Sequence, residues 1–273
     1  MKYMEIDRIS CVGANERLSV SECIDFLLKN PRAELGIGVT QKKGGFDTER
    51  FEFISRLLDE YRETVGDTAV YKSNGEPLNL NQRIGLHLNG GWATRVANGD
   101  IPPELQEWTG VTRGYYGDGE RLRFQLNLAG DRWSGLDGTD SSALNGALSK
   151  IGKAKVVVQY DGNTAPLVKK LNRYRRSDFD ILYDSSYGFG KVATQYQSVF
   201  PNRTQGYAGG LSPDNIKEVL DKIFAVQPEN KKTKIYVDAE GKLKNPDDKV
   251  IDLGLAQDFV DKTLEWEAEQ KGK

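Results

Sequence analysis

Short apolar runs alternate with stretches of helical periodicity along this chain, the pattern of a parallel sheet whose strands are joined by crossover helices. Eight candidate strands stand out, near Ile9 to Gly13, Leu35 to Thr40, Ile84 to Asn89, Leu122 to Leu128, Val156 to Asp161, Ile181 to Asp184, Gly206 to Gly209 and Ile235 to Asp238. The seventh is the weakest, because Gly206 and Gly209 lower its strand preference. Helical stripes fall between them: Phe51, Ile54, Leu58 and Tyr61; Leu167, Val168, Leu171 and Tyr174; and Phe259, Val260, Thr263 and Leu264. The clearest helix follows the seventh strand, where Ser212 is placed to cap, Pro213 to open the first turn, and Ile216, Val219, Leu220 and Ile223 to form one apolar face. Eight strand–helix units in 273 residues predict an α/β fold, a single (β/α)₈ barrel domain spanning residues 1–273.

Two segments exceed a minimal barrel, Thr64 to Gln82 and Gly90 to Arg121, so the barrel is elaborated around its third strand. The second holds Trp92, Pro102, Pro103, Trp108 and Gly114-Tyr115-Tyr116-Gly117. Leaving the C-terminal end of a strand, it is placed either to cover the barrel mouth or to pack as a surface subdomain.

Composition excludes several function classes. Lys plus Arg total 38 against 40 Asp plus Glu, a formal charge of −2 with no long block of one sign, so no nucleic-acid partner is expected. No apolar run is long enough to span a bilayer and no signal-peptide pattern opens the chain, so no membrane partner and a cytoplasmic location are expected. The two cysteines, Cys11 and Cys23, match neither a zinc site nor a disulfide framework. Cys23 sits beside Phe26 and Leu27 at helical spacing and reads as a small buried hydrophobe. The single histidine, His87, disfavours a serine triad or a histidine metal site; it alternates with Leu86 and Leu88 and reads as a satisfied core residue facing away from them. Neither GxxxxGK[ST] nor a strand-bound GxGxxG occurs.

Polar residues gather at the predicted C-terminal strand ends: Thr40, Gln41, Asn89, Asn127, Asp161, Asp184 and Asp238. That is the face on which barrel enzymes assemble their sites. After the seventh and eighth strands, Gly209, Gly210 and Gly241 let backbone amides approach an anion closely, at the recurrent phosphate site of this fold. A tight turn before a capped helix is the alternative reading of the glycine pair.

Three motifs carry a resemblance to a known family. Ile181-Leu182-Tyr183-Asp184-Ser185 with Gly188-Phe189-Gly190-Lys191, then Tyr207-Ala208-Gly209-Gly210-Leu211-Ser212-Pro213-Asp214-Asn215, then Val237-Asp238-Ala239-Glu240-Gly241, resemble the sixth-, seventh- and eighth-strand signatures of phosphoribosylanthranilate isomerases. The similarity is strongest over residues 179–241. Farther back, Arg8-Ile9-Ser10-Cys11-Val12-Gly13 is similar to a Lys-Ile-Cys-Gly first strand, with Val12 inserted before the glycine. Asn127 stands in the place of a histidine on the fourth strand, and Lys42 and Lys43 where the family has an arginine.

The resemblance implies an isomerase of the tryptophan-biosynthesis type, performing an Amadori rearrangement of a phosphorylated aminoaldose. Asp184 would be its general acid and Cys11 its general base, and neither a metal nor a cofactor is implied. Gly209, Gly210, Ala239, Glu240 and Gly241 would hold the phosphate, and Lys42, Lys43, Asn89, Asn127 and Gly190 the rest of a phosphorylated small-molecule ligand. The alternatives are an enzyme using the same cradle on another phosphorylated sugar or nucleotide, and a non-catalytic barrel that sequesters such a ligand, with which the changed positions Lys42, Lys43 and Asn127 are compatible.

Overall fold

Eight parallel strands close on themselves: β1 (Tyr3–Val12), β2 (Ala33–Thr40), β3 (Ile84–Asn89), β4 (Arg123–Asn127), β5 (Val156–Tyr160), β6 (Phe179–Tyr183), β7 (Gln205–Tyr207) and β8 (Lys232–Ala239). Each neighbours the next in chain order, and β1 closes the ring against β8. The protein is therefore a (β/α)₈ barrel. The structure, a computed structural model, describes residues 2–40, 47–65, 70–71, 77–78, 83–106, 122–128, 144–146, 155–162, 164–173, 179–186, 189–201, 203–229, 231–247 and 249–271.

The connections include α1 (Val20–Lys29), α2 (Thr48–Val65), α3 (Gly91–Ala97), α4 (Pro103–Gln106), α5 (Ala165–Arg173), α6 (Ile216–Ala225) and α7 (Leu253–Lys271). Outward-facing strand residues such as Leu35, Leu86, Val158 and Val237 form one core with Leu27, Ile54, Val168, Leu220 and Phe259 of the helices. A smaller cluster, Val157, Leu182, Ala208 and Tyr236, fills the barrel interior. These two sets alternate along the strands, as a period of two requires. Among the described residues no helix is long and apolar enough to cross a membrane.

Three sequence expectations change. First, β1 begins at Tyr3 rather than Ile9: Glu5 and Asp7 interrupt its apolar run, and they pair across the ladder with Lys232 and Lys234 of β8, each at 2.6 Å. Second, Ser212 does not cap α6. The Asn215 side chain instead accepts from the Ser212 amide at 2.9 Å and donates to the Gly210 carbonyl at 2.9 Å, tying the turn to the helix start. Third, Gly206 is not a weakness in β7, because a Cβ there would lie 2.1 Å from the Tyr236 ring. The glycine makes room for an interior aromatic.

Of the elaborations around β3, the described parts are a small antiparallel pairing of Val70–Tyr71 with Pro77–Leu78, and α3 and α4. Gly114 to Gly117 and Trp108 lie outside the described residues.

Candidate functional site

The C-terminal strand ends surround a cavity of about 740 Å³. Of the residues singled out in the sequence, Asn89, Asn127, Asp184, Gly190, Gly209, Gly210, Glu240 and Gly241 line it. Gly90 and Thr94, at the start of α3, line it as well, so this described part of the elaboration contributes to the mouth. Lys42 and Lys43 lie outside the described residues, as does Gln41.

Three of the selected residues point elsewhere. Cys11, expected as the general base, is fully buried in the core between barrel and helices and does not line the cavity; burial, with Asp238 second, pushes its thiol well above the ordinary range. Its strand neighbours Ser10 and Val12 take the interior phase instead: Ser10 lies across the ladder from Asp238, and Val12 stands against Gly36. Ala239 likewise faces the outer core. Asp161 at the end of β5 serves α5: it accepts from the Thr164 amide at 2.9 Å, while the Thr164 hydroxyl accepts from the Asp161 amide at 2.9 Å. Gln159, two residues earlier, occupies the inward position.

The carboxylate of Asp184 is held firmly. It accepts from the Ser186 amide at 2.9 Å, the Ser186 hydroxyl at 2.6 Å and the Gln159 side chain at 3.3 Å. Opposite runs a row of amides. Gln125 donates to His87 Nδ1 at 3.0 Å and to Asn127 at 3.0 Å, and Asn127 donates to Asn89 at 2.9 Å. Because Nδ1 accepts, the His87 proton sits on Nε2, which faces Asp238 Oδ2 at 3.9 Å. Burial pulls His87 down to about 4, so it is neutral at physiological pH.

Asp238 is the residue that sequence reading underrated. It was read as a polar strand end and as part of the eighth-strand motif, with no role of its own, yet it lines the cavity with 6% of its surface exposed. Among the described residues its Oδ2 has no hydrogen-bond partner. Burial first, then the Glu240 and Asp184 charges, push its carboxyl up to about 7, opposed only in part by Ser10 and Arg8. Gln125, Gln159, Ser186 and Lys242 are further lining residues that strand alternation or loop position alone could have nominated. Among the described residues no group of three or more His, Cys, Asp or Glu side chains is arranged to hold a metal ion.

The two glycine turns share one rim but differ. Gly209 and Gly210 adopt φ of 100° and 65°, and a Cβ on Gly210 would lie 2.6 Å from the Gly190 carbonyl oxygen and 2.7 Å from the Val192 nitrogen. The loop after β6 thus packs directly on the turn after β7. Gly241 opens a short 3₁₀ turn (Gly241–Leu243) with open space beside it, and Glu240 pairs with Lys244 at 2.6 Å. With amides of these turns and Lys242 at the rim, the arrangement can receive an anion, while Asp184 and Asp238 stand ready for proton transfer.

No protein-family model matches the sequence, and no curated protein is detectably similar to it. Among solved structures, a truncated form of the 3-deoxy-D-arabino-heptulosonate 7-phosphate synthase from Thermotoga maritima superposes with a TM-score of 0.50, covering 98% of this chain and 88% of that chain at 11% identity. A likeness at that identity carries the barrel architecture and leaves the chemistry to the residues of the site.

Proposed function

We propose that this barrel binds a phosphorylated sugar-like ligand in its mouth and isomerises it from aldose to ketose form, in the manner of an Amadori rearrangement. One observation carries the reading: Asp184 and the glycine turns at Gly209–Gly210 and Gly241 converge on a single cavity of about 740 Å³. That volume lies within the usual range of about 300–1,000 Å³ for small-molecule sites, ample for a phosphopentosyl group carrying a second ring. The phosphate would be held by backbone amides and Lys242, and Asp184 would protonate the ring oxygen as it leaves C1. The resemblance to phosphoribosylanthranilate isomerases over residues 179–241 supports this assignment, and the name of the Thermotoga maritima barrel enzyme contains a sugar-acid phosphate.

A second reading keeps the cradle and changes the substrate. The amide row Asn89, Asn127, Gln125 and Gln159 favours it, because amides pair with hydroxyl or carbonyl groups rather than with a charged or purely apolar ring. Incubation with phosphoribosylanthranilate, separating the two isomers by chromatography, tests the first reading directly. Conversion supports isomerisation. Binding that inorganic phosphate displaces, without conversion, replaces it with the second reading or with a sequestering barrel. If phosphate neither binds nor competes, the cradle itself is rejected.

A further inference from the structure

We propose that Asp238 is the proton-accepting catalytic residue of this cavity, its Oδ2 receiving the hydrogen from C2 of the ligand. The assignment rests on the isomerase reading above and completes it, since that chemistry needs a base and Cys11 faces the other side of its strand.

The geometry singles out one atom. Asp238 Oδ2 belongs to a cavity-lining residue and, among the described residues, makes no hydrogen bond. A buried carboxylate oxygen left in this way forfeits solvation that folding normally replaces, and functional sites are where such deficits persist. Every element around it adds to a setting suited to proton exchange. From β1, Ser10 lies directly across the ladder, and Arg8, one inward position lower, is engaged over the Tyr236 ring at 3.9 Å and with Glu34 at 3.7 Å. From β3, neutral His87 presents Nε2. From the end of β6 comes the Asp184 carboxyl, and from the turn after β8 come Glu240, its partner Lys244, and Lys242. Ala208 adds an apolar wall from the end of β7. The carboxyl's rise to about 7 leaves both protonation states accessible at neutral pH, as a base that must also return its proton requires.

The electron flow balances without an oxidant, a reductant or a co-reactant. Asp184 gives a proton to the ring oxygen, the C1–O bond breaks, and the nitrogen lone pair forms a C1=N iminium. Asp238 Oδ2 takes the C2 proton; the C2–H pair becomes a C1=C2 bond, and the C1=N π pair returns to nitrogen. The enol O–H proton then goes back to Asp184 while Asp238 delivers its proton to C1, leaving a ketone and both carboxyl groups restored.

Phosphoribosylanthranilate in D₂O is the probe. Wild type should yield product deuterated at C1, with kcat/KM rising as pH passes through about 7. Asp238→Asn should lower kcat by about 10² to 10⁴ while KM changes no more than about threefold, and should lose the pH rise. Asp238→Glu should retain measurable activity with a displaced midpoint, which a purely structural role would not produce. If Asp238→Asn keeps kcat within about tenfold of an active wild type, or keeps the same pH rise, the assignment is overturned and the isomerase reading survives. If wild type itself converts nothing, both fall together.

Discussion

The interior of this barrel carries two polar layers that solve opposite problems. Near the N-terminal strand ends, Arg123 and Arg8 both pair with Glu34, Lys155 pairs with Asp180 at 3.3 Å, and Arg8 also lies over Tyr236. Positive and negative groups alternate there, and Arg8, Glu34, Arg123 and Asp180 each have an oppositely charged neighbour. At the C-terminal ends Asp184, Asp238 and Glu240 share one cavity; Glu240 has Lys244, but the histidine facing Asp238 is neutral. The lower layer is compensated as scaffolds require, whereas the upper one keeps like charges close to Asp238, which favours a proton on that carboxyl. The contrast separates what holds the barrel closed from what it can do.

The largest effect should follow from removing the shared anion of the lower layer. Glu34→Gln removes the carboxylate that Arg8 and Arg123 share, and losing one partner of a buried ion pair costs about 3–5 kcal/mol. Urea unfolding at pH 7 should show a loss of that size. A loss below about 1 kcal/mol would mean that the lower layer is not compensated by Glu34 and that the contrast has no energetic content.

The upper layer should respond with the opposite sign. The Asp238 carboxyl titrates at about 7 in the folded protein against an ordinary 3.8, so its contribution to stability is complete below 3.8 and is lost as pH rises through 7. Asp238→Asn stays neutral and should therefore be more stable than wild type at pH 8, by about 2–4 kcal/mol. His87 works the other way. Its folded value of about 4 against an ordinary 6.5 gives stability that is complete above 6.5 and lost as pH falls through 4. Between about 4 and 6.5 the two oppose each other in wild type, and stability should be nearly flat; in Asp238→Asn only the histidine remains, and stability should climb with pH across that window. Equal slopes for the two proteins in denaturant titrations at pH 4.5 and 6.5 would refute this account of the carboxyl.

Much of the barrel was legible because its strands are apolar on the helix-facing side and its rim residues are small or polar. The eight predicted runs fall on the eight observed strands, and the stripe Ile216, Val219, Leu220 and Ile223 is fully buried. The phase of β1 was not legible. An irregularity between Ile6 and Arg8 shifts its pairing to β8, so Met4, Ile6, Ile9 and Cys11 all join the outer core while Arg8, Ser10 and Val12 turn inward. A bulge leaves no mark in an apolar pattern, and a one-residue slip moves a cysteine from one face of a strand to the other. The residue directly before Gly13 is Val12, and it is Val12 that takes the inward place. Asp238 escaped emphasis for a related reason: a polar strand end looks the same in sequence whether it caps a helix, as Asp161 does, or lines the cavity.

A smaller effect distinguishes the two glycine turns on the rim. Gly210→Ala places a Cβ against backbone of the loop after β6 at a φ of 65°, so either the loop or the turn must move. A loss of about 1–3 kcal/mol in thermal unfolding is expected, together with weaker competition by inorganic phosphate. Gly241→Ala meets open space and should stay within about 0.5 kcal/mol of wild type. If the two substitutions proved equal, the tight contact between the turn after β7 and the loop after β6 would not be holding the rim.

The smallest effect belongs to Cys11, and it tests the contrast between the layers from outside both. Its side chain belongs to the outer core, where burial disfavours the thiolate. Serine is the poorer probe, because a hydroxyl buried without a partner costs about 1–3 kcal/mol and the resulting instability would imitate a loss of function. Cys11→Ala removes one sulfur from a packed core and should cost about 1 kcal/mol in stability. Turnover of phosphoribosylanthranilate should remain within about twofold of wild type, since catalytic bases contribute about 10² or more. The two measurements must be read together. Activity lost by about 10² in a variant that still unfolds near the wild-type midpoint would put the thiol at the cavity, reverse the phase of β1, and return the base from Asp238 to the first strand.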